Sequence, residues 1–203
     1  MKPLQLLLAL LALCCYQVSI SQTCPPNIDF ETGDFTNWEC FTGSTSVSGN
    51  QNVISLTSSG PTSGRHEIIS GMSLPTFDQY GGFPRLCPYG GKYSVQLGNN
   101  GTGTQAEGLA YTFVVPSTID TFTFTYFYAV VLQDPQHPLS QQPRFFVKAY
   151  DVVTGNLINC ASFDYVSTGG IPGFQQSATN SSVLYKDWTP ASLQFAGLGG
   201  HTV

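Results

Sequence analysis

The sequence predicts an all-β protein, a jelly-roll-like antiparallel β-sandwich, and three observations carry that prediction. Short runs of alternating apolar and polar residues recur along the chain, separated by turns rich in glycine and proline. Aromatic residues make up 13% of the chain and charged residues only 9%, so Ser, Thr, Asn, Gln and Gly must wet the surface in place of ions. After residue 21 no stretch carries the apolar periodicity of a helix of normal length, and there are neither heptads nor internal repeats.

Residues 1–21, MKPLQLLLALLALCCYQVSIS, read as a secretory signal peptide. Lys2 precedes an apolar run from Leu4 to Cys15, too short to span a bilayer, and small residues follow at Ser19 and Ser21. Export is therefore expected, with residues 22–203 forming one β-sandwich domain. With 7 basic against 12 acidic residues and no basic cluster, the chain offers no electrostatic footprint for nucleic acid or anionic lipid.

The elements follow in order. Ile28 and Phe30 alternate with Asp29 and Glu31 before a Thr32-Gly33-Asp34 turn, which predicts a first strand with Trp38 as an early core anchor. Residues 42–51 read as a Gly/Ser/Thr-rich loop, with short strands at Val53–Thr57 and His66–Ser70. Gly71–Gly91 is a long Pro/Gly-rich connection, a length that in a compact domain means a functional or a tethered loop. Strands are expected at Lys92–Leu97 and Ala106–Val115. Two central strands come next: Thr121–Val131, with Phe122, Phe124, Tyr126 and Tyr128 on one face, and Pro143–Asp151. A turn over residues 152–156 predicts an antiparallel return over Asn156–Tyr165, and Val183–Tyr185 and Ala191–Phe195 supply the last complete strands. Gly197–Gly200 reads as a hairpin turn and His201–Val203 as a strand that stops short, so the domain is expected to be C-terminally truncated here, a piece of a longer protein.

Removal of the signal leaves Cys24, Cys40, Cys87 and Cys160. In an exported protein four cysteines suggest two disulfides with three possible connectivities. Cys24 and Cys40 bracket one hairpin-like segment, so the favoured pairs are Cys24 with Cys40 and Cys87 with Cys160, the alternative being that one or more pair with residues beyond Val203.

The segments NIDFETGDFTNWEC, RHEIIS, YGGFP, KYSVQLGN, AEGLAYTF, FYAVVLQDPQHP, QQPRFFVKAYD and YKDW, in that order, resemble the N-terminal β-sandwich domain of large Bacteroidetes surface proteins, which continue into PKD repeats and a gliding-motility-type C-terminal sorting domain. The resemblance implies a multidomain secreted or cell-surface protein, an adhesin, whose partners are a surface glycan or protein and the downstream domains of its own chain. It implies no defined chemistry.

Three candidate sites remain. The opening Asn-x-Asp-Phe-Glu also resembles the first strand of carbohydrate-binding jelly rolls and animal MAM domains, which implies a Ca²⁺ held by Asp29, Glu31 and Asp34. Alternation in a strand would place Asp29 and Glu31 on one face, and three carboxylates within six residues repel unless solvated or neutralised, so the alternative is a solvated or hydrogen-bonded strand end. The loop bearing Asp134, His137 and Gln142, with Arg144 following, is a candidate ligand loop, although Arg144 paired with Asp134 or Glu107 would serve structure equally well. Tyr80, Phe83 and Tyr89 in the long connection either stack on sugar rings or pack that loop down.

Catalysis finds little support in the sequence. It contains no Gly-x-Ser-x-Gly elbow and no Glu-x-Asp-x-x-Glu strand signature, and His66 and Glu67 as strand neighbours point to opposite faces. The expected function is a non-catalytic extracellular adhesion or binding module. The alternatives are a carbohydrate-binding module or an accessory domain of a secreted hydrolase.

Overall fold

The computed structural model describes residues 24–133, 136–158, 162–167 and 171–203. Among them run β1 (Trp38–Ser48), β2 (Gln51–Ser59), β3 (His66–Ser70), β4 (Tyr93–Leu97), β5 (Gln105–Tyr111), β6 (Thr121–Gln133), β7 (Arg144–Val147), β8 (Tyr150–Asp151), β9 (Asn156–Leu157), β10 (Phe163–Val166), β11 (Gln175–Gln176) and β12 (Val183–Ala196). The one helical element among the described residues is a 3₁₀ turn over Leu139–Gln141. The chain is all-β and sandwich-like, built from antiparallel sheets that do not close into a barrel. The signal segment lies outside the described residues.

The strongest alternation in the sequence makes the longest ladder. β6 lies in a three-stranded sheet of order β11-β12-β6, and twelve residues of β12 pair with it, from Val183 opposite Gln133 to Ala196 opposite Thr121. Phe122, Phe124 and Tyr126 turn inward beside Leu193 and Phe195 to form the core cluster, joined by Ala149, Ile158 and Leu198. Phe122 stacks on Phe195 with ring centroids 4.6 Å apart. Fully burying one such side chain contributes about 1.5–3 kcal/mol. The separate strands expected at Val183–Tyr185 and Ala191–Phe195 are one strand, because a bulge between Lys186 and Thr189 absorbs the break in alternation.

The two segments expected as central strands of an antiparallel sheet lie in different sheets, and β6 is the edge strand of its own. β7 pairs with β10, and β6 meets both through rings: Tyr128 lies 5.7 Å from Phe145 and 5.3 Å from Phe163, and the hydroxyls of Tyr128 and Tyr165 are 3.0 Å apart. The second segment is also two strands, since pairing is interrupted after Val147 and resumes as the short β8–β9 hairpin. The return of the chain over Asn156–Tyr165 is antiparallel as expected, through β9 against β8 and β10 against β7.

Two expectations near the N-terminus fail. Residues 42–51 are not a loop: β1 and β2 form a nine-pair hairpin around Gly49-Asn50, with Gly49 at φ +61°, a conformation that glycine adopts without Cβ strain. Its Ser/Thr run suits a strand because small and β-branched side chains pack on a pleated surface. At Gly43 the hairpin approaches itself so closely that a Cβ would lie 1.8 Å from the Ser55 carbonyl oxygen. Conversely, Ile28–Glu31 is not a strand. Asn27, Phe30, Gly33 and Asn37 all take positive φ, so the segment is a succession of turns.

Candidate functional site

Asn27 explains those turns. Its side-chain amide donates to the carbonyls of Thr36 (2.8 Å) and Asp34 (3.2 Å), its Oδ1 accepts the Thr32 N–H (3.1 Å), and its own carbonyl accepts the Trp38 indole N–H (2.8 Å). Trp38 stacks on Phe30 at 4.3 Å and so anchors the opening turns, but it is half-buried and lies outside the core cluster expected to hold it.

The same turns scatter the proposed calcium ligands, because without a strand Asp29 and Glu31 share no face. Asp29 Oδ1 accepts the Glu31 N–H at 3.2 Å. Glu31 Oε1 accepts the Lys92 N–H at 2.7 Å and the Tyr93 N–H at 3.4 Å, tying the opening turns to β4. Asp34 Oδ1 accepts the Thr32 hydroxyl (2.7 Å) and the Thr36 N–H (3.0 Å), and these bonds hold its carboxyl below the usual carboxylate range. Each carboxylate thus serves the backbone, and among the described residues no three His, Cys, Asp or Glu side chains gather around a point where a metal ion would sit.

Of the candidate ligand loop, Asp134 lies outside the described residues. His137 is exposed, and its carbonyl accepts the Gln142 side-chain amide at 3.0 Å. Gln142 is buried, and its own carbonyl accepts from Asn52 of β2 at 2.9 Å. Arg144 does not pair with Glu107. Its Nε bonds both carboxylate oxygens of Asp164 on β10, at 2.7 and 2.9 Å, and its Nη2 reaches one of them. Register is the reason: Arg144 stands opposite Val166 and so lies diagonal to Asp164 across the ladder. Glu107 is taken by Arg65, which also donates to the Ala106 carbonyl at 2.9 Å.

The cysteines differ from expectation as well. Cys24, Cys40 and Cys87 carry free thiols. Cys24 is exposed, whereas Cys40 is 2% exposed in the middle strand of the β2-β1-β5 sheet, and the segment joining them is wound around Asn27 instead of forming a hairpin that would bring the sulfurs together. Burial pushes the Cys40 thiol pKa up. Cys160 lies outside the described residues.

Two histidines found partners that their sequence neighbours do not indicate. His66, 4% exposed, accepts the Thr62 N–H at Nδ1 (3.3 Å) and directs Nε2 at the carbonyls of Phe41 (3.1 Å) and Gly108 (3.3 Å). That pattern places the ring proton on Nε2 and makes His66 a bridge from β3 to β1 and β5. His201 Nδ1 donates to Asp151 Oδ2 at 3.0 Å, while Asp151 also accepts the Thr154 hydroxyl (2.7 Å) and the Val153 N–H (3.0 Å).

No family model, no curated protein and no solved structure matches the chain. Its site must be read from its own geometry.

The long connection supplies the most distinctive surface. Residues 71–91 are held to β12 and to the connection between β11 and β12 by three bonds: Trp188 Nε1 to the Pro84 carbonyl (2.6 Å), the Ser177 hydroxyl to the Tyr80 carbonyl (2.7 Å) and the Thr179 hydroxyl to the Gln79 carbonyl (3.0 Å). Phe83 is buried, 6.2 Å from the Tyr185 ring. Tyr89, by contrast, stacks on Phe127 of β6, centroids 4.7 Å apart and planes 19° apart, and remains 61% exposed. The structure separates these aromatics: Phe83 packs the loop down, whereas Tyr89 is held open to solvent. Phe127 carried a sequence signal, being the one aromatic on the threonine face of β6. Its pairing with Tyr89 did not, because the two lie on elements joined only by tertiary packing.

Proposed function

We propose that this chain is a non-catalytic binding module of a secreted or cell-surface protein, an adhesive domain within a longer polypeptide. One observation carries the reading: the Tyr89–Phe127 pair, a large aromatic surface left in water by a loop that is itself pinned at Gln79, Tyr80 and Pro84. An exposed aromatic costs solvation unless it has a second partner, and a loop fixed on a rigid sheet loses little entropy when it binds one. The carboxylates and arginines already discussed are engaged in structural bonds, which favours recognition by shape and polarity over proton transfer. The signal-like N-terminus and the low content of charged residues support display outside the cell.

Fluorescently labelled wild-type protein on intact cells and on matrix-coated plates tests this reading. Saturable binding, displaced by an excess of unlabelled protein, is expected. Signal that grows linearly with concentration and resists competition on every surface would end it.

A further inference from the structure

β6 presents two different faces. Inward lie the rings of Phe122, Phe124, Tyr126 and Tyr128, and outward lie Thr121, Thr123, Thr125 and Phe127, all exposed. The pairing with β12 continues the outward face: Ser192 stands opposite Thr125, Gln194 opposite Thr123, Ala196 opposite Thr121 and Pro190 opposite Phe127, and these four are exposed too. The Thr125 and Ser192 hydroxyls are 2.9 Å apart. Two parallel rows of hydroxyl and amide groups therefore lead away from an aromatic platform, with successive rungs about 6.6–6.8 Å apart along the strands.

We infer that this outer face of β6 and β12, from the Tyr89–Phe127 platform along Thr125, Thr123, Ser192 and Gln194, binds an uncharged polysaccharide chain lying along the strands. The inference rests on the binding-module reading and names the class of its ligand. Charge selects that class. None of the eight outward side chains is ionisable, so the face holds no counter-charge for a polyanion, and the chain's net charge of −5 repels acidic glycans. Polarity points the same way. Hydroxyl and carboxamide groups both donate and accept, which matches the hydroxyls of a neutral sugar, and the Tyr89 ring offers an apolar surface to the C–H face of a pyranose. A protein partner would leave these exposed hydroxyls to find matched groups one by one, whereas a sugar chain carries donors and acceptors along its whole length.

Affinity electrophoresis and titration calorimetry against hydroxyethyl cellulose, mannan, laminarin, xylan and dextran, with alginate and heparin as acidic probes, test the inference. At least one neutral polysaccharide should retard the wild type. Tyr89→Ala should weaken that interaction about tenfold or more, and Thr123→Val with Gln194→Ala should weaken it several-fold, at unchanged melting temperatures because all three side chains are exposed. Retardation by acidic polysaccharides alone, retardation unchanged in both variants, or no retardation by any neutral polysaccharide overturns it. Saturable binding to cells that persists after periodate oxidation of their glycans would leave the module reading standing and remove the polysaccharide. Absence of saturable binding to untreated cells together with no retardation by any polysaccharide would remove both.

Discussion

His201 Nδ1 lies 3.0 Å from Asp151 Oδ2, joining residues fifty positions apart. The bond fastens the last described residues to the β8–β9 turn, where the Val152 N–H also donates to the Thr202 carbonyl at 2.8 Å and Thr202 bridges to Val114. Without these contacts the 198–203 segment would expose the strip it covers over residues 113–115.

The pH dependence of stability should report this clasp. The Asp151 carboxyl is held below the usual carboxylate range, first by the Thr154 hydroxyl, with smaller help from His201 and the Val153 N–H, and against the opposing effect of burial. Because its folded pKa is depressed, its contribution is fully present above the ordinary Asp value and is lost as the pH falls through the folded value. Thermal melts of wild type and Asp151→Asn should therefore differ most above pH 5 and converge in strong acid. A gap that stays constant down to pH 2 would show that the carboxylate charge is not what matters.

Asn27 should be the most sensitive residue of the N-terminal turns. Asn27→Ala removes four side-chain hydrogen bonds and leaves the Thr36 carbonyl and the Thr32 N–H without that partner. It also places alanine at φ +54°. The combined loss is about 2–4 kcal/mol. Urea denaturation measures it, and a shift below about 0.5 kcal/mol would mean that the turns hold without their hub.

The thiols should react in the order of their exposure. Brief treatment of native protein with iodoacetamide, followed by peptide mass spectrometry, should find Cys24 modified and Cys40 protected. Cys40 should react only after denaturation, since it is both covered and less readily ionised. A Cys24–Cys40 crosslink in unreduced protein, or equal labelling of the two, would contradict the arrangement of the opening turns.

Much of the β architecture was legible because alternation is a local property. Phe122, Phe124, Tyr126 and Tyr128 announce a buried strand face without reference to any other part of the chain, and His66–Ser70 and Tyr93–Leu97 fall where the pattern puts them. The same locality misled at the N-terminus. Asn27 overrides the alternation of Ile28–Glu31 by bonding the chain at Thr32, Asp34 and Thr36, while the Ser/Thr run after Phe41 resembles a loop until nine pairings make it a hairpin.

The sequence by itself determined the all-β class, the long strand at Thr121 and the two contrasting faces of that strand. Only the tertiary structure decided which strands pair, that Arg144 meets Asp164, that His201 meets Asp151 and that Tyr89 settles on Phe127. The reason is physical: a strand's faces follow from its own backbone geometry, whereas a partner twenty to fifty residues away is selected by packing and register across the whole fold.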